Sequence, residues 1–107
     1  MRVNLMKGGK MATFITLVQD TEENIRKSGQ TLERGEAFKN MAEKMGVTVK
    51  EIYWTQGGYD GAAILEAPDA ETVMALMLSL GHVHVQTLRA YSAEEMRSII
   101  EKTLCDK

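Results

Sequence analysis

Two adjacent glycines near the middle of the chain, Gly57-Gly58, do most to limit the folds open to it. VTVKEIYWTQ, from Val47 to Gln56, precedes them, and YDGAAILEA, from Tyr59 to Ala67, follows. Both runs are rich in strand-favouring residues. A glycine pair between such runs predicts a hairpin, because primed turns need positive φ and glycine adopts it at least cost. An antiparallel strand pair at the centre is therefore the frame on which the flanking segments are placed.

Ahead of the hairpin, Ala12 to Gln19 (ATFITLVQ) reads as a strand. Asp20 with Glu23 offers an N-cap and capping-box partner for a short helical stretch around Ile25, which Ser28-Gly29-Gln30 interrupts. Thr31 opens a longer helix in which Phe38, Met41, Ala42 and Met45 make one apolar stripe, ended by Gly46. Past the hairpin, Pro68-Asp69 starts a helix with Asp69 as N-cap and Val73, Leu76, Met77 and Leu80 as its core face. Met74 and Leu78 add apolar surface outside that stripe, where another chain can meet it. Gly81 closes the helix, and HVHVQTLRAY is a fourth strand. Ser92 with Glu95 forms a capping box, Tyr91 with Met96 fits a hydrophobic staple, and the last helix is expected to bury Met96, Ile99, Ile100 and Leu104.

The order β-α-β-β-α-β plus a C-terminal helix predicts an α+β, ferredoxin-like split βαβ fold. Its four-stranded antiparallel sheet carries helices on one face. A single domain over residues 11–107 follows a flexible extension over residues 1–10. Helices on one side leave the other side of the sheet needing a cover. In regular strands Ile52 and Trp54 share one face and Val49 and Tyr53 the other, while Val83 and Val85 oppose His82 and His84. Neither face is cleanly polar, so a homodimer or larger symmetric oligomer joined through the sheet is expected.

Composition narrows the function classes. Hydrophobic residues make up 44% and charged residues 26% of the chain, a globular and not a disordered balance. The 13 basic and 15 acidic residues give a net charge of −2. Setting aside Arg2, Lys7 and Lys10 leaves residues 11–107 with ten basic against fifteen acidic groups. A polyphosphate partner is disfavoured by that sign, and no basic stripe interleaved with aromatics opposes it, so no nucleic acid is expected. No apolar run reaches membrane-spanning length, and none of signal-peptide length opens the chain. With Cys105 as the single cysteine, a reducing, cytoplasmic setting is expected.

The string Tyr53-Trp54-Thr55-Gln56-Gly57-Gly58-Tyr59-Asp60 resembles the signature of the GYD domain family, with the triplet at Gly58-Tyr59-Asp60. ATFITLV after Met11, Glu66 to Glu71 (EAPDAE), and Thr87-Leu88-Arg89-Ala90-Tyr91 are similar to that family's pattern as well. The resemblance implies a bacterial or archaeal protein of the dimeric α+β barrel type, without an established activity. Proteins of that broad architecture include cofactor-free oxygenases, isomerases, haem-handling enzymes and ligand-sensing modules, and architecture alone does not choose among them.

Two readings stand for each group with chemical potential. Tyr59 and Asp60, placed at the start of the third strand, can present a phenol and a carboxylate to a ligand. Alternatively Gly57 and Gly58 supply the turn, Tyr59 packs and Asp60 accepts turn amides. On a strand His82 and His84 project to one side and can share an ion or serve as a base, yet the spacing demands no third ligand from Asp60 or Glu51. Neither a metal nor a cofactor is expected. Tyr53 and Trp54 face opposite ways, one under the helices and one on the open face, and Arg89 either clamps a ligand carboxylate or pairs with an acidic side chain. No phosphate loop, dinucleotide fingerprint, CxxC, HExxH or GxSxG string is present. The leading expectation is an oligomeric small-ligand-binding or regulatory module without robust catalysis. A cofactor-independent enzyme with its pocket at the sheet face or dimer seam is the alternative, and a purely structural assembly module the third.

Overall fold

The computed structural model describes residues 11–19, 31–81 and 83–105. The extension over residues 1–10, the Asp20 and Glu23 cap with its short helix, and His82 lie outside the described residues. Seven elements follow one another: β1 (Ala12–Gln19), α1 (Thr31–Lys44), β2 (Thr48–Trp54), β3 (Gly61–Ala67), α2 (Ala70–Leu80), β4 (His84–Ala90) and α3 (Ala93–Cys105). The strands pair antiparallel in the order β2-β3-β1-β4, so the hairpin β2-β3 lies beside β1, and β2 and β4 are the edges. That is the ferredoxin-like arrangement expected from the element order, with α3 as the additional helix.

Strand alternation sorts the side chains onto two faces. Phe14 and Thr16 of β1 align with Leu65 and Ala63 of β3, and all four are buried with Ala67 against Ala42 of α1 and Val73, Leu76 and Met77 of α2. Complete burial of an aliphatic side chain such as Leu65 or Leu76 stabilises by roughly 1.5–3 kcal/mol, so this layer holds α1 and α2 on one side. Thr16 is the polar exception. Its hydroxyl lies 3.3 Å from the Thr87 hydroxyl and 3.8 Å from the Met77 sulfur, which satisfies it without water. Gly46, at φ +86°, lets the chain leave α1 and return as β2, with the Val47 amide donating to the Ala42 carbonyl. At the start of α2 the Asp69 carboxylate accepts from the Thr72 amide and hydroxyl. Those two bonds, the hydroxyl's first, hold its pKa below the ordinary value.

Three local expectations are corrected. Val49 lies on the helix side with Ile52 and Trp54, not opposite them, because a β-bulge at Lys50 shifts the register between Val49 and Glu51. The β2-β3 connection spans Thr55 to Asp60 and is not a two-residue glycine turn. Tyr59 and Asp60 therefore precede β3, and the Asp60 amide donates to the Val18 carbonyl of β1 at 2.8 Å. Finally, α3 does not bury its apolar stripe. Met96, Ile100 and Leu104 are 41%, 52% and 61% exposed and Ile99 is half-buried.

Candidate functional site

The face of the sheet away from α1 and α2 is built from in-register rows that cross all four strands. One row runs Leu88–Ile15–Ile64–Glu51 and the next Gln86–Leu17–Ala62–Tyr53. Both are apolar at the centre. Ala90–Thr13–Glu66–Thr48 bounds them on one side, and the pair His84–Gln19 bounds them on the other. Leu88 is 40% and Tyr53 52% exposed, whereas Ile15, Leu17 and Ile64 are half-buried among their neighbours. Ionic groups gather at the β2 corner, where Lys50 approaches Glu66 at 4.0 Å.

The loop before β3 is fastened to the Tyr53 and His84 end of this face. The Thr55 amide donates to the Asp60 carbonyl at 3.0 Å, and the Thr55 hydroxyl donates to the Tyr59 carbonyl at 2.6 Å. From β1, the Gln19 side-chain amide reaches the Gly58 carbonyl at 3.2 Å. Gly57, at φ +112°, supplies the reversal that an L side chain resists. So held, Tyr59 reaches past β1 to β4, where its hydroxyl donates to the Gln86 side-chain carbonyl at 2.6 Å. The phenol oxygen keeps acceptor capacity and the Gln86 amide keeps its two donors. Tyr53, Tyr59, Gln86 and His84 thus bring hydroxyl, amide and imidazole groups to the border of an apolar surface. Such an edge sets hydrogen-bond donors and acceptors beside apolar surface.

The other sequence-singled residues lie elsewhere. Trp54 and Arg89 belong to the helix side, Trp54 on edge strand β2 and Arg89 on edge strand β4, so no common site unites them with Tyr59. The Arg89 guanidinium sits 4.3 Å from the Tyr91 ring centre and 5.6 Å from that of Phe14. It also donates to the carbonyls of Thr13 and Ala90, a cation–π and hydrogen-bond arrangement that fastens the end of β4. Trp54 packs over α1 where Gly35 leaves room, its ring 3.1 Å from the position a Cβ would take. Beside it a shallow groove of about 420 Å³ runs between α1 and β2, bordered by Leu32, Lys39 and Ile52. That groove touches neither Tyr59 nor His84.

Gln86, Gln19 and Thr55 were not singled out in the sequence. Period-two alternation places Gln86 on the face of His84, but its meeting with Tyr59 depends on β1 standing between β3 and β4. Among the described residues no group of three or more His, Cys, Asp and Glu is placed to hold a metal ion. Nor is any described helix long and apolar enough to cross a membrane.

A ferredoxin-like α+β domain, whose second sheet face has no covering helix among the contacts of the described residues, is thus the class that the fold and its loop define. The chain matches the GYD domain over residues 14–100 and belongs to that family. The matched region contains the Gly58-Tyr59-Asp60 triplet and all four strands' cross-sheet partners from Phe14 onward. No curated protein and no solved structure matches the chain.

Proposed function

We propose that this chain is a self-associating small-ligand-binding or regulatory module of the cytoplasm, whose ligand site is completed when a second copy covers the open face. One observation carries the reading: the two central rows of that face are apolar at their centres on β1 and β3, and the row through Leu17 and Ala62 ends on β4 at Gln86, which the Tyr59 hydroxyl bonds. The groove between α1 and β2 does not include this border. Ligand sites are concave and exclude most water, so Tyr53, Tyr59, Gln86 and His84 need an opposing wall to bind well. A symmetric partner brings the same apolar rows and the same polar border. The ligand class is a small molecule with carbonyl, hydroxyl or carboxylate oxygens on an apolar or aromatic body. A lone cysteine at the chain end suits a reducing compartment.

The test combines association with ligand response. Sedimentation equilibrium on the intact chain is expected to show a dimer or larger closed oligomer at micromolar concentration. Ile15→Lys places a charge at the centre of the face and is expected to give a folded monomer. Thermal melts across aromatic acids, keto acids and hydroxy acids are then expected to show a stabilising compound whose effect is lost in Tyr59→Phe. Saturation at a hundred times the dissociation constant corresponds to about 2.7 kcal/mol, well within detection. A chain that stays monomeric at every concentration, with no stabilising compound, refutes the proposal.

A further inference from the structure

We infer that α3 is a clasp that docks on a second copy of this chain, so that each subunit gives one helix and receives one. The inference rests on the self-association proposed above and names an element that does it. From Ala93 to Leu104 every residue except Glu95 and Ile99 is exposed, and Met96, Ile100 and Leu104 form a single ridge at four-residue spacing. The polar side carries Glu94, Arg97, Glu101 and Lys102. A helix of 13 residues is marginal in water on its own.

Its start is nevertheless firmly built. The Ser92 amide donates to the Glu95 carboxylate and the Glu95 amide to the Ser92 hydroxyl, a reciprocal capping box. Just before it, Arg89 stacks on Tyr91 and bonds the Thr13 carbonyl. A rigid root followed by an uncovered apolar ridge describes an arm that is aimed but not seated.

Area and continuity identify the occupant. Four strands about 4.8 Å apart and seven residues long at about 3.3 Å each present a face of roughly 440 Å². Stable specific interfaces bury about 800 Å² on each partner, so the open face alone supplies little more than half. At about 1.5 Å per residue and roughly 10 Å across, α3 offers a footprint near 200 Å². Given once and received once, that footprint closes the shortfall. Laid back over its own sheet, α3 would cover less than half of the face and leave the remaining rows bare. The helix also leaves directly from β4, the edge strand that carries Leu88 and Gln86 of that face, so clasp and face form one surface.

The experiment compares the full chain with Met96→Gln/Ile100→Gln/Leu104→Gln, which keeps good helix formers, and with Ile15→Lys. Sedimentation equilibrium gives the association constant of each, and amide hydrogen exchange follows α3 across a dilution series. The expected result is at least a tenfold weaker association for the triple variant. In the wild type, protection of α3 is expected to fall on dilution in step with dissociation. An unchanged association constant in the triple variant overturns the clasp while leaving the sheet-face dimer standing. Protection of α3 that does not depend on concentration overturns it also, because the ridge is then seated within its own chain. A wild type that never associates overturns both readings, and then Ile15→Lys leaves sedimentation unchanged.

Discussion

Replacing Tyr59 with phenylalanine removes one hydroxyl and tests how the loop before β3 is held to the sheet. The lost interaction is a 2.6 Å bond to the Gln86 side chain, between residues 27 apart in sequence. A neutral hydrogen bond contributes about 0.5–1.5 kcal/mol net, and Gln86 is exposed enough for water to replace the phenol, so the lower part of that range applies. A cost of about 0.5–1 kcal/mol translates, for a domain near 100 residues, into a fall in Tm of roughly 2–8 °C. Gln86→Ala removes the acceptor and is expected to cost a similar amount. The double variant is expected to cost little more than either single one, because the bond can be lost only once. Urea denaturation of the four proteins at one fixed concentration yields the coupling energy, expected at about 0.5–1 kcal/mol. Additive effects, with coupling indistinguishable from zero, would show that the phenol and amide are independent, and the construction of the site from the GYD loop would fail.

Three further outcomes follow from particular positions. Gly57→Ala forces an L side chain to φ +112° and is expected to destabilise by about 1 kcal/mol or more, read as an earlier urea midpoint; a neutral or stabilising result contradicts the loop geometry. Because hydrogen bonding holds the Asp69 carboxyl below its ordinary value of 3.8, its ionised form adds stability above that value, a contribution lost as pH falls through the folded pKa. Asp69→Asn keeps a competent N-cap without the titration, so the wild type should lose more stability than the variant on acidification, and parallel pH profiles would refute this. Gly35→Ala gains helix propensity of about 1 kcal/mol but sets a methyl 3.1 Å from the Trp54 ring. A shifted tryptophan emission with a net stability change smaller than that gain is expected, and unchanged emission would refute the packing of Trp54 on α1.

Much of this was legible without coordinates where the signal was local. Capping at Asp69 and Ser92, termination at Gly46, and the apolar stripes of α1 and α2 each depend on residues within a turn or two of one another. The bulge at Lys50 was not legible, since alternation in VTVKEIYW reads as a regular strand and only pairing with β3 reveals the extra residue. Likewise the WTQGGYD string announces a turn, while its length is fixed by Asp60, whose carbonyl accepts from the Thr55 amide and whose amide donates to Val18 of β1.

The deepest division lies between what neighbours along the chain settle and what neighbours in space settle. Residue order determined the identity and sequence of the elements and the amphipathic character of α3, because hydrophobic period, capping and glycine conformation act over a few residues. Only the folded sheet decided that Tyr59 meets Gln86, that Arg89 is occupied by Tyr91 and Phe14, and that Trp54 faces away from the phenols. Only it decided that Met96, Ile100 and Leu104 stay exposed. The reason is geometric: strand order and register join residues tens of positions apart, and no local propensity encodes which distant strand will lie alongside.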